Sequence, residues 1–241
     1  MSLTPFSMFG FSHIITVVII VIITIFALHK LQTYDTASLK KYFNPFLAIL
    51  LFSQLTLWRI IFIFQNDFTI GYDLPLHLCG LSEILLIYYL LRPGQKLFDV
   101  LYYWIMSGST LAVIIPELQW DFPSARYFAL FIPHSLMVFV ILYCLTVLKI
   151  RPSHNSYWTG FKALGLAALC LAPVNLLLKA NFLYLCDIPP VPFGPIKLLP
   201  EWPWYLIVLA LFFLMLYRII YQPFYQSATE TALDQKEISS N

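Results

Sequence analysis

Long apolar runs separated by short polar ones set the pattern of this chain. Residues of roughly 11–29, 44–65, 75–91, 97–115, 126–148, 158–178 and 203–221 are apolar, and charged, polar or proline-containing stretches divide them. A helix needs about 20 apolar residues to cross a bilayer, whereas a barrel strand needs about 10 that alternate. The pattern therefore predicts an all-α membrane protein with seven transmembrane helices in one domain over residues 1–221. Residues 222–241 read as a polar, disordered cytoplasmic tail.

Composition narrows the class further. Of the 241 residues, 60% are apolar and 11% are charged, with a mean hydropathy of +0.79. A soluble domain carries about 25% charged residues, so a soluble enzyme, a nucleic-acid binder and a disordered chain are all excluded. The net charge of +2 supplies no field for polyanions. No basic residue precedes Phe11 and no small-residue cleavage motif follows the first run, so that run is expected to stay in the protein.

Basic residues set the expected orientation. Ten Lys and Arg flank one side of the runs, including Lys30, Lys40, Lys41, Arg92, Lys96 and Arg151, against Arg126, Lys179 and Lys197 on the other. By the positive-inside rule the N-terminus faces outward and the C-terminus faces the cytoplasm, in a multi-pass protein of the cell membrane.

Polar residues inside the runs converge on one depth. Counted from the outer ends at about 1.5 Å per residue, Cys79 lies about 6 Å deep, Arg59 about 9 Å, Glu83 and His134 about 12 Å, and Asn175 about 5 Å. His13 is also near the outer face. An ionisable residue at membrane depth is a functional candidate by default.

Each candidate has a chemical and a structural explanation. Pro75 suits the first position of the third helix, which puts Cys79 near the positive end of the helix dipole and favours a thiolate. A small buried apolar Cys is the alternative. Gly80 admits a substrate or a neighbouring backbone. On one helix His77 and Cys79 would lie about 200° apart, so a base for the thiol is sought on another helix. His134, after Pro133, is the candidate, and a structural interhelical hydrogen bond is its alternative. His77 could bind a headgroup or cap the helix. Glu83, one turn after Cys79, could pair with Arg59 or orient a histidine. Arg59 could hold a lipid phosphate through its planar fork or only balance Glu83. Asn175 could donate to an oxyanion or hold helices together, with the second favoured.

The remaining features carry less chemistry. Cys144 and Cys170 read as packing. The four cysteines, with Cys186, form no CxxC pair and no disulfide framework, and His77, Cys79 and His134 lack a fourth zinc ligand. No metal and no cofactor is expected. The prolines 189, 190, 192, 195, 200 and 203 make the last outer loop stiff, as a lid or an interfacial spacer. Trp202, Trp204 and Tyr205 read as an aromatic belt.

The segments PLHLC (75–79), IPEL with FP (115–123), PHS (133–135), NFLYL (181–185) and WPWY (202–205) resemble the bacterial YwaF-like membrane proteins, which are grouped with the eukaryotic transmembrane protein 164 family. The resemblance covers about residues 10–222 and implies a seven-helix fold. The eukaryotic members are described as cysteine-dependent phospholipid acyltransferases. Carried over, Cys79 would be the nucleophile and His134 its base, with no third member assigned.

Two functions follow as expectations. One is a lipid acyltransferase or lipid-ester hydrolase, with a phospholipid or lysophospholipid as substrate. Cys79 and His134 would be catalytic, with Arg59, His77, Glu83 and Asn175 around the substrate. The other is a non-enzymatic lipid or small-molecule binder, either a sensor or a transporter. Transport is disfavoured because no inverted repeat or pair of broken helices is visible. A scaffold is less favoured still, since the loops are short and no soluble domain is present.

Overall fold

The structure, a computed structural model, describes residues 4–190 and 194–240, with side chains through Phe224. The long helices are α1 (Phe11–Leu31), α2 (Thr36–Phe64), α3 (Leu78–Leu91), α4 (Gln95–Ile114), α5 (Ala125–Thr146), α6 (Ser156–Leu178) and α7 (Trp204–Ser240). Among the described residues there is no strand, only an isolated bridge between Pro5 and Trp120. Each apolar run corresponds to one of these helices. α7 runs on as helix beyond the apolar run's end at residue 221. Pro192 of the last outer loop lies outside the described residues.

Six of the helices are long and apolar enough to cross a membrane. The exception is α3. Its 14 residues extend about 21 Å, short of a hydrocarbon core of about 30 Å. The expected count of seven full-length spans is thus met for six. Pro75 is the physical reason. It holds the preceding Leu74 in an extended conformation (φ −63°, ψ 141°), and helix begins only at Leu78, not at Pro75. Residues 65–77 instead form a short helix, Ile70–Asp73, and a stretch that folds back on α3. A Cβ on Gly80 would sit 2.6 Å from Pro75 Cα, so this glycine admits a neighbouring backbone.

Hydropathy decides which helix is central. α1 has the highest mean hydropathy of the six, 2.8, and only 6% of that window is buried; α4 has the lowest, 1.4, with 56% buried. A helix facing lipid must be apolar all round, whereas a helix surrounded by others can carry polar groups if neighbours satisfy them. On α4 they do. Tyr102 donates to the Ile220 carbonyl (2.7 Å), Tyr103 shares a hydrogen bond with Ser156 (2.9 Å), and the Trp104 indole donates to the Gly160 carbonyl (3.1 Å). Gly160 is needed for this approach, because a Cβ there would lie 2.8 Å from the Tyr103 ring. Cys144 is fully buried in the same core, while Cys170 is exposed on α6 and does not serve the packing expected of it.

Candidate functional site

A cavity of about 1350 Å³ lies between α2, α3, the second half of α4, α5, α6 and α7. Arg59, His77, Cys79, Glu83 and His134 all line it, and Asn175 does not. Its side walls are apolar, with Phe161, Leu164 and Ala168 from α6 and Leu206, Leu209 and Phe213 from α7. Pro189, Pro190 and Pro195 of the last outer loop also border it.

Cys79 is the second residue of α3, in the first turn. The neighbouring α4 contains a π-helical stretch, Ile105–Ser109. Such stretches shift the register of a helix and are frequent at functional sites. Here the stretch brings Gly108 against the start of α3, where a Cβ would lie 3.2 Å from Leu78 Cδ2 and 3.9 Å from Cys79 Sγ. Ser109 is also close to the thiol, although its hydroxyl has no hydrogen-bond partner.

His77 lines the same cavity as Cys79, against the expectation of opposite faces. A separation of about 200° holds only between two helical residues. His77 is extended (φ −66°, ψ 160°) and precedes the helix, so helical geometry does not separate them. It makes no side-chain cap. Its ring instead packs among Phe182, Tyr184 and Tyr72, with centroids 5.1, 5.6 and 6.0 Å away.

The His134 Nδ1 lies 2.6 Å from the Leu130 carbonyl. A carbonyl only accepts, so Nδ1 carries a proton, and in the neutral ring Nε2 keeps its lone pair. No hydrogen bond joins His134 to Cys79 among the described residues. Glu83 is 4% exposed and lies within electrostatic reach of both His134 and Arg59. Among the described residues Arg59 forms no ion pair within 4.0 Å. Its Nη1 donates to the Leu55 carbonyl (2.5 Å) and its Nε is buried without a partner. Asn175 serves the fold. Its amide takes the Phe182 N–H (2.8 Å) and donates to the Phe182 carbonyl (3.0 Å), tying the end of α6 to the loop after it. His13 likewise accepts from the Phe9 N–H (3.0 Å) and contacts the Val113 carbonyl (2.9 Å) away from the cavity.

Several residues at the cavity were not anticipated from the sequence. Arg126 binds Asp73 through two hydrogen bonds and Asp67 through its Nε (2.8 Å), with its guanidinium 3.8 Å above the Phe62 ring. This latch holds residues 65–77 against α5. Tyr184 donates to Glu117 Oε2 (2.5 Å) and accepts the Tyr205 hydroxyl on its carbonyl (2.8 Å). Tyr205 is therefore buried and bonded, not a belt residue, whereas Trp202 and Trp204 are exposed. Leu183 and Tyr184 both have positive φ (57° and 53°), a strain that these two hydrogen bonds hold in place. Burial pushes the Glu117 carboxyl above its usual range, and the hydrogen bond from Tyr184 opposes that rise. Gln54 and Trp58 line the cavity from α2. Their spacing of four was the one visible signal, a polar residue one turn from a tryptophan within an apolar run.

No curated protein and no solved structure matches the chain. Residues 8–221 match the model of the TMEM164 family, a span that includes α1 to α6, the first part of α7 and every cavity residue described above. A match of that extent places the chain in a family of membrane proteins, and it belongs to the TMEM164 family.

Proposed function

We propose that the chain is a multi-pass membrane enzyme that transfers or hydrolyses acyl groups of phospholipids, with Cys79 as nucleophile and His134 as its base. The observation that carries this is the shared cavity. A thiol in the first turn of a helix and an imidazole with a free Nε2 line one apolar space large enough for a lipid chain. In the reaction, the thiol proton passes to His134 Nε2 as sulfur attacks the ester carbonyl. The C–S bond forms, the C–O bond breaks, and the proton leaves with the alcohol. A lysophospholipid hydroxyl or water then attacks the thioester, and its proton returns to the cysteine by way of His134. Tightening of the Cys79–His134 contact on substrate binding is part of the proposal. Arg59 is placed on the headgroup, with His77 and Glu83 lining the approach.

Seven crossings of the cell membrane, with the N-terminus outside and the C-terminus in the cytoplasm, belong to the same proposal. The uneven distribution of Lys and Arg supports them. A non-enzymatic lipid binder is the competing function, favoured by the lack of a Cys79–His134 hydrogen bond among the described residues.

The deciding experiment labels membranes with an iodoacetamide bearing an alkyl chain, in wild type, Cys79→Ala and His134→Ala. Fast labelling that disappears in Cys79→Ala and slows at least tenfold in His134→Ala supports acyl transfer, since positioned proton transfer contributes about 10²–10⁴-fold. Slow labelling that is indifferent to His134 removes the nucleophile and leaves the binder.

A further inference from the structure

One wall of the cavity carries polar atoms that the protein itself does not satisfy. Gln54 Nε2 and Oε1, Trp58 Nε1 and Arg59 Nε on α2, and Glu83 Oε1 on α3, are all buried without a hydrogen-bond partner. All four residues line the cavity. Gln54 is 7% exposed and Glu83 is 4% exposed, so neither side chain can turn out to water. Buried polar groups are paired in the great majority of cases, and a cluster of exceptions on one cavity wall calls for an explanation. Ordinary helix packing does not provide one, because an apolar side chain would fill the same space without unmet bonds.

The unmet atoms describe a ligand. Three are donors: Gln54 Nε2, Trp58 Nε1 and the Nε edge of Arg59. Two are acceptors: Gln54 Oε1 and Glu83 Oε1. A bare acyl chain meets none of them. A phosphate alone meets the donors and leaves Glu83 and Gln54 Oε1 unmet. A neutral hydroxyl alone brings no anion into contact with Arg59, which has no ion pair within 4.0 Å among the described residues. A phosphate with an adjacent hydroxyl meets both sets, and the planar guanidinium edge suits phosphate oxygens. We infer that Gln54, Trp58, Arg59 and Glu83 form a subsite for the glycerophosphate part of a single-chain lipid, with the phosphate on the three donors and the free glycerol hydroxyl on Glu83 and Gln54. The apolar walls from α6 and α7 take the chain. This inference rests on the cavity's being a lipid site and not on chemistry at Cys79.

The test measures binding to the purified full-length protein in nonionic detergent. The probes are 1-acyl-glycerol 3-phosphate, its 2-deoxy analogue, a 1-monoacylglycerol and free glycerol 3-phosphate. The proteins are wild type, Gln54→Ala, Trp58→Phe, Glu83→Gln and Cys79→Ala. Wild type should bind the acylated phosphate about tenfold more tightly than the deoxy analogue or the monoacylglycerol, the scale of one lost polar contact. Gln54→Ala and Trp58→Phe should each weaken binding about tenfold, and Glu83→Gln, which keeps one accepting oxygen but no carboxylate, should reduce the preference over the deoxy analogue. Free glycerol 3-phosphate should bind far more weakly; equal binding would make this a soluble-phosphate site and overturn the lipid assignment. Each of the two α2 variants removes an unpartnered group, so its melting midpoint without ligand should equal or exceed wild type, which separates lost binding from lost folding. Cys79→Ala should bind as wild type does. Unchanged binding in both Gln54→Ala and Trp58→Phe overturns the subsite whatever becomes of acyl transfer. Loss of reactivity in Cys79→Ala with binding intact leaves the subsite standing.

Discussion

Arg126→Gln should break the ion pair that ties residues 65–77 to α5. Arg126 joins α5 to residues 65–77, the segment that presents His77 and the start of α3. The Asp73 carboxylate it holds is 5% exposed, Arg126 itself is 22% exposed, and Asp67 is 55% exposed. Removing one partner of a buried pair costs about 3–5 kcal/mol. Asp73 keeps one hydrogen bond from the Thr69 N–H (2.7 Å), which favours the lower end. The exposed Asp67 pair adds less than about 1 kcal/mol, and the cation–π contact with Phe62 adds about 1 kcal/mol. The expected loss is about 4 kcal/mol, or about 10 °C in melting midpoint at roughly 2–4 °C per kcal/mol for a chain of this size. Thermal unfolding in detergent, followed by tryptophan fluorescence, reads this directly. A double-mutant cycle isolates the pair. Arg126→Gln with Asp73→Asn should recover about 2 kcal/mol of the loss, since no carboxylate is then left buried alone. A loss under about 1 kcal/mol, or strict additivity in the cycle, would refute the latch.

Other substitutions test single features. Gly80→Ala places a Cβ 2.6 Å from the Pro75 backbone, and the overpacking should cost roughly 1–3 kcal/mol in the same assay. Gly165→Ala, inside α6 with nothing within 4 Å of the added carbon, should be neutral or stabilise by up to about 1 kcal/mol. Tyr184→Phe should cost about 1–2 kcal/mol at neutral pH, because a half-buried Glu117 carboxylate loses its donor. The sign with pH follows from Glu117, whose carboxyl burial raises above its usual range. In the fold it keeps its proton to higher pH than in the unfolded chain, so its burial penalty is absent in acid and grows as pH rises through the raised value. The Tyr184→Phe deficit should therefore shrink on acidification and vanish in a Glu117→Gln background; an equal deficit at pH 5 and pH 8 would count against it.

Much of the architecture was legible in the order of residues. Apolar length alone located all seven long helices, because each backbone polar group in lipid must be satisfied within its own helix. Rules that use distance along one helix grouped several polar residues. They put Arg59, Cys79, Glu83 and His134 at similar depth, and these residues line one cavity. They failed where the chain is not helical. His77 was put on the wrong face because the helix starts after it, and α3 proved shorter than its apolar run because Pro75 cannot be absorbed into it.

What the tertiary structure alone decided is which groups meet. Asn175 and His13 have the residue types of a site, yet their polar atoms are bonded to the backbone nearby. Arg126 looked like one outer charge among several, and its two aspartates lie 59 and 53 residues away in the chain. Gln54 and Trp58 looked like ordinary members of a span until the packed bundle left their polar atoms buried and unpaired. Hydropathy is a property of each segment and can be read in one dimension. Hydrogen-bond satisfaction depends on what several helices place beside one atom, and only the packed bundle determines that.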